Sequence, residues 1–143
     1  MEFVHHSHSV GNNVHHLQWC TKYRYKMFRK PKYAAICEAA IRRAAERHEM
    51  TIKEIAVMPD HIHVVAQIPP HISQSRAIQL LKGGSAYEIF RLCPKFRHRY
   101  TRGHLWSRGN FKDSVGRLTE DVAKNYVRNQ SQIHNLYSFI NAQ

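Results

Sequence analysis

The sequence predicts an α/β fold of the α+β kind: a ferredoxin-like or RRM-like antiparallel sheet covered by helices, with a C-terminal helix that carries a tyrosine. Three observations lead there. Segments with strand-like and helix-like periodicity follow one another in the order β-α-β-β-α-β-α. A turn signal, Pro59-Asp60, joins two of the strands directly, as a hairpin requires. At 143 residues the chain has room for one domain with a substantial core and gives no ground for a second. We read 1–143 as a single domain, with 1–10 as a flexible arm and 131–143 as a C-terminal tail.

The elements follow in order. After Gly11-Asn12-Asn13, the run Val14-His15-His16-Leu17-Gln18-Trp19-Cys20-Thr21 alternates as a first strand. His15 and His16 then point to opposite faces and cannot both join one site, and a structural histidine is the default for each. Lys22, Arg24, Lys26, Arg29, Lys30 and Lys32, interleaved with Tyr23, Tyr25 and Phe28, suit phosphates and stacked bases, or make a solvated loop. Pro31 can open a helix in which Ile36, Cys37, Ala40, Ile41, Ala44 and Ala45 share one face. Strands over Thr51 to Val57 and His61 to Gln67 flank the Pro59-Asp60 turn. From Ser73 a second helix runs to Gly83-Gly84, where the glycines kink or split it, and the Ser85 to Glu88 spacing fits a capping box. Leu105-Trp106 and Phe111 to Val115 form a strand pair or one bulged strand. Gly116 breaks the pattern as a plausible hinge, and Thr119 caps a last helix through Val122, Ala123, Tyr126 and Val127.

Composition narrows the partners. The 22 Lys+Arg against 10 Asp+Glu give a formal charge of +12, which on so small a chain points to a polyanion, nucleic acid first. No segment shows the basic amphipathic pattern with bulky apolar anchors that a membrane surface would want. The three cysteines are odd in number and hold no C-x-x-C pair, so neither a disulfide framework nor a zinc ribbon is indicated. With nothing like a signal peptide or a membrane span in view, the expected location is cytoplasmic.

The chemistry gathers at Met58-Pro59-Asp60-His61-Ile62-His63-Val64-Val65. Positions i and i+2 of a strand share a face, so His61 and His63 can offer two neutral imidazoles to a divalent ion. With 12 histidines in the chain, about one such spacing is expected by chance, so the pair needs partners to mean anything. Asp60 either orients an imidazole or caps its own turn. On the last helix Tyr126 and Gln130 are i and i+4 and share a face.

Taken together, Met58 to His63, the Leu105-Trp106-Ser107-Arg108-Gly109 segment and Asn125-Tyr126-Val127-Arg128-Asn129-Gln130 resemble the single-tyrosine HUH transposases, the small transposases of insertion sequences that move as single-stranded DNA. Cys20-Thr21-Lys22-Tyr23-Arg24 and Leu80-Leu81-Lys82-Gly83-Gly84-Ser85 are similar to that family as well, so the resemblance runs from about Val14 to Gln130. It implies that His61, His63 and Gln130 bind Mg²⁺ or Mn²⁺ and that Tyr126 is the nucleophile. The activity implied is a metal-dependent DNA strand transferase that cleaves and rejoins single-stranded DNA through a 5′-phosphotyrosine. The partners implied are a hairpin near each element end and a second copy of the chain in a homodimer. Lys22, Arg24, Lys82, Arg97, Arg99 and Arg108 are the expected DNA contacts. The alternative is a non-catalytic single-stranded nucleic-acid-binding module of ferredoxin-like fold, which would leave the histidines and the tyrosine idle.

Overall fold

A computed structural model describes residues 13–115 and 117–142, with the side chains of 113–119 and 133–142 left aside. Four strands, β1 (Val14–Thr21), β2 (Thr51–Val57), β3 (His61–Gln67) and β4 (Trp106–Val115), form one sheet in the order β2-β3-β1-β4, and every neighbouring pair is antiparallel. Three helices, α1 (Pro31–Arg47), α2 (Gln74–Leu92) and α3 (Arg117–Ala142), complete the split βαβ plan. The proposed arm, 1–10, and the Gly116 hinge lie outside the described residues, and α3 continues to Ala142 through the segment read as a tail.

The sheet divides the molecule into two unequal cores. On one face Leu17, Trp19, Ile62, Val64 and Ala66 meet α1 and α2 in the main cluster. Pro31 occupies the first turn of α1, where its missing N–H costs nothing, and the helix buries Tyr33, Cys37, Ala40, Ile41, Ala44 and Ala45. Aromatic contacts close the end of this core: Trp19 against Trp106 at 5.9 Å edge to face, and Tyr33 against Phe96 at 5.0 Å. On the other face Val14, Ala56, Met58, Val65 and Val127 make a small separate cluster under α3.

Three details depart from the sequence reading. The Gly83-Gly84 pair neither kinks nor splits α2, which is continuous. A Cβ on Gly84 would lie 2.9 Å from the Ala44 Cβ and 2.7 Å from Arg47, so the glycine serves the approach of α1 and not a bend. Ser85 and Glu88 do not cap a helix start. Both are buried mid-helix, where the Ser85 hydroxyl accepts from Trp106 Nε1 at 3.1 Å and Glu88 pairs with Arg43, while Ser73 is the residue that caps α2, accepting from the Arg76 N–H at 3.0 Å. At the last helix, α3 begins at Arg117, two residues ahead of Thr119. β4 is a single strand with a register irregularity between Trp19 and Thr21 of its partner. All three cysteines are free thiols, and no helix among the described residues is long and apolar enough to cross a membrane.

The turn after β1 is built on strained backbone. Tyr23 and Arg24 both hold left-handed φ values, 64° and 55°, which bulky residues rarely adopt. It is pinned by Lys22 N–H to the Leu105 carbonyl at 2.8 Å, by the Thr21 hydroxyl to the Tyr25 carbonyl at 2.6 Å, and by the Tyr100 hydroxyl to the Lys22 carbonyl at 2.8 Å. Burial pushes the Tyr100 phenol up to about 12. A group whose folded pKa is raised contributes stability that is present below its unfolded value near 10 and lost as pH rises through the folded value. Denaturant titrations are therefore expected to show stability falling between about pH 10 and 12, by roughly 2–3 kcal/mol from this group. Tyr100→Phe should be less stable at pH 8 and should lose that part of the alkaline slope.

Candidate functional site

Parity along the strands assembles the site. His15, Leu17 and Trp19 of β1 and Ile62, Val64 and Ala66 of β3 take the main-core face, so His16, His61 and His63 take the opposite face under α3. The His61 and His63 rings are 5.0 Å apart. The Asp60 carboxylate bonds His61 Nδ1 at 2.7 Å through one oxygen and accepts from Arg24 Nε at 3.1 Å through the other. Burial pushes the Asp60 carboxyl up, but the hydrogen bonds from His61 and Arg24 and their charges outweigh it and hold the group below its ordinary value. Of the two readings left open for Asp60, the structure supports contact with the imidazole.

His63 is 3% exposed, and its Nδ1 lies 3.3 Å from Nε2 of His16, with the two rings stacked at 5.5 Å. Burial, then the neighbouring His61 and His16, lower its pKa to about 4, so its imidazole is neutral at physiological pH. His16, a structural histidine by default in the sequence reading, lies on the face of the histidine pair and touches His63. His15 fits that description: on the other face it contacts Gln74 Nε2 through Nδ1 at 2.6 Å, and burial lowers its pKa. Leu17 and Trp19 mark His16 as lying on the other face of β1, and the pairing of β1 with β3 brings that face beside His63.

α3 brings the tyrosine. Val127 is fully buried against Val14, Ala56, Met58 and Val65, with Ala123 one turn earlier, and ion pairs from Arg128 to Glu54 (2.6 Å) and from Lys53 to Glu120 (3.5 Å) flank the contact. Seating Val127 swings its neighbour Tyr126 over the histidines. The Tyr126 ring stands edge-on to His63 at 5.8 Å and to His16 at 5.9 Å, and it is 49% exposed. Gln130 follows one turn later on the same helix, half-buried. Within one chain Tyr126 therefore meets His63 and His16, and His61 lies on the other side of the contact, against His63. Among the described residues no group of three His, Cys, Asp or Glu side chains is arranged to hold a metal ion.

The cations expected at DNA lie on one flank. Lys22 and Arg99 border a cavity of about 80 Å³, and Lys22 and Arg108 a larger one of about 500 Å³. Lys82 and Arg97 border a third, of about 400 Å³, and His104 borders all three. Four of these side chains are partly engaged: Lys82 donates to the Ser107 carbonyl at 2.7 Å, and Arg97, Arg99 and Lys22 lie 4.6, 4.0 and 5.4 Å from the ring centroids of Phe90, Tyr25 and Tyr23. Arg24 is tied to Asp60 and so belongs to the histidine site as much as to the flank.

Residues 9–130 match the family described as Transposase IS200 like. The chain belongs to that family. This IS200-like chain is 29% identical over 124 residues to the transposase for insertion sequence element IS200 of Salmonella typhimurium, covering 87% of this chain and 80% of the relative. It is 27% identical to the ISDra2 transposase TnpA of Deinococcus radiodurans over 116 residues, covering 81% and 82% of the two. Among solved structures, that of a candidate transposase from Deinococcus radiodurans superposes with a TM-score of 0.66 at 26% identity, over 82% of this chain and 89% of the other. A REP-associated tyrosine transposase bound to a REP hairpin shares the fold, with a TM-score of 0.59 at 12% identity, over 82% of this chain and 66% of that one. The four-stranded antiparallel sheet with its helices is thus the fold of this IS200-like group.

Proposed function

We propose that this IS200-like chain cleaves and rejoins single-stranded DNA at the ends of its insertion sequence, with Tyr126 as nucleophile and a divalent ion held by His61, His63 and Gln130. The observation that carries the reading is the Tyr126 ring set over a buried, neutral His63 on a surface of net positive charge.

In the cleavage step the Tyr126 Oη forms a bond to phosphorus and the bond from phosphorus to the 3′-oxygen breaks. The phenol gives up its proton, and the leaving oxygen takes one to become a 3′-hydroxyl. One phosphodiester is exchanged for another, so rejoining by an incoming 3′-hydroxyl needs no external energy source. A bound Mn²⁺ or Mg²⁺ would supply Lewis-acid polarisation of the scissile phosphate and offset its charge, and the mixed imidazole and amide donors favour Mn²⁺.

The histidines fit that ion. Each has its Nδ1 engaged, His61 with Asp60 and His63 with His16, which leaves Nε2 of each as the ligating atom. In the tautomer that ligation requires, His63 Nδ1–H donates and His16 Nε2 accepts. The capture of a same-fold tyrosine transposase on a hairpin supports hairpin-bearing DNA as the partner. A homodimer and a cytoplasmic location belong to the same proposal.

The test is to incubate the protein with Mn²⁺ and single-stranded oligonucleotides from the element ends, denature it, and map the modified peptide by mass spectrometry. A phosphonucleotide on Tyr126 is expected. Free cleaved ends without adduct, adduct on another residue, or binding without cleavage overturns the proposal, the last outcome in favour of the binding module.

A further inference from the structure

Tyr23 has no part in the chemistry above, and the core does not need it: its ring is 64% exposed. Yet the chain holds it on left-handed backbone, which such a residue rarely adopts, and anchors the turn on both sides. The ring is backed by a second aromatic, Tyr100, nearly parallel to it at 15° with centroids 6.3 Å apart, and by Tyr25 at 5.4 Å. Cations surround this cluster. Lys22 Nζ is 5.4 Å from the Tyr23 centroid, the Arg99 guanidinium lies 4.0 Å over Tyr25, and Arg102 borders the same small cavity as Lys22, Tyr23 and Arg99. Among the described residues no carboxylate lines that cavity or the larger one beside it, which Lys22 and Arg102 also border together with Arg108.

An exposed, rigidly held aromatic face ringed by cations is the chemistry that takes one unpaired nucleotide, base on the ring and phosphates on the cations. We infer that Tyr23, with Lys22, Arg99 and Arg102, is a subsite for a single unpaired nucleotide of the bound DNA strand. The next residue along, Arg24, holds Asp60, and Asp60 holds His61. A base seated on Tyr23 therefore fixes the strand two residue contacts from the histidine pair. The inference rests on the reading of the protein as a single-stranded DNA enzyme and adds the place where one base is gripped.

The experiment is fluorescence anisotropy of labelled single-stranded oligonucleotides from the element ends, over a series of salt concentrations, with each position in turn made abasic. Tyr23→Ala is expected to weaken binding about 5- to 100-fold without changing the salt dependence, because stacking releases no counterions. Tyr23→Phe and Tyr23→Trp should bind as the unaltered protein does. Lys22→Gln should weaken binding and reduce the slope of log K against log salt by about one. Removing one particular base should cost the unaltered protein the same factor and leave Tyr23→Ala indifferent. Equal binding by Tyr23→Ala, or a loss that no single abasic position reproduces, overturns the subsite alone. Failure of the unaltered protein to bind single strands overturns the functional reading beneath it.

Discussion

Tyr126→Phe is expected to bind its DNA as tightly as the unaltered protein, within a factor of about two, and to give no covalent adduct, with strand cleavage reduced by roughly three orders of magnitude or more. The contrast follows from how the side chain is held. Tyr126 touches His16 and His63 through its ring, and the helix is seated by Val127, so phenylalanine keeps the packing and removes only the hydroxyl. The measurement is cleavage of an end-labelled strand resolved on a denaturing gel, beside anisotropy for binding. Cleavage that survives at a tenth of the original rate would mean that another group attacks the phosphate. Weakened binding with a normal cleavage rate at saturation would make Tyr126 a DNA contact only.

His63→Ala is expected to abolish measurable Mn²⁺ binding and cleavage together, and His16→Leu to weaken Mn²⁺ binding by about 10- to 100-fold with His63 still present. The second effect comes from orientation. Without an acceptor opposite its Nδ1, the His63 ring is free to place its proton on either nitrogen, and only one tautomer offers Nε2. His16→Gln supplies an amide oxygen and should recover most of the affinity. The amplitude of the free Mn²⁺ paramagnetic resonance signal, titrated without DNA, reads the affinity directly. His16→Leu binding the ion as tightly as the unaltered protein would show that the contact between the two rings is packing and not orientation.

The sequence carried the sheet and its pair of histidines because both rest on local signals. Strand alternation, the Pro59-Asp60 turn and Pro31 at the start of α1 are read within a few residues of chain, and they place His61 and His63 on one face. His16 depended on which strand lies beside β3 and in what phase, which is settled by pairing across 47 residues of chain. The Gly83-Gly84 pair and the Ser85 to Glu88 spacing misled for a related reason. A missing Cβ can mark a bend or a close neighbour, and i,i+3 polar residues can cap a helix or face one buried patch. The choice fell to Ala44, Trp106 and Arg43, all distant in sequence. The association of Tyr126 with the histidines was legible from the family resemblance alone; its physical cause, Val127 seated in a second small core, was not.

That second core gives the molecule an uneven mechanical strength. α1 and α2 are packed into the main cluster, whereas the described side chains of α3 rest on Val127, a flanking alanine, the Tyr126 ring against His16 and His63, and two ion pairs. Burying one valine is worth about 1.5–3 kcal/mol, and exposed ion pairs add about 0–1 kcal/mol each. The stretch 120–132 that bears the tyrosine is thus a latch on a rigid plate, expected to open locally at less cost than unfolding Trp19, Ile62 and the rest of the main cluster. Amide hydrogens along α3 should exchange ahead of those in α1 and α2, and faster in high salt. A strand joined to Tyr126 would then travel with the latch while the histidines stay behind on the plate.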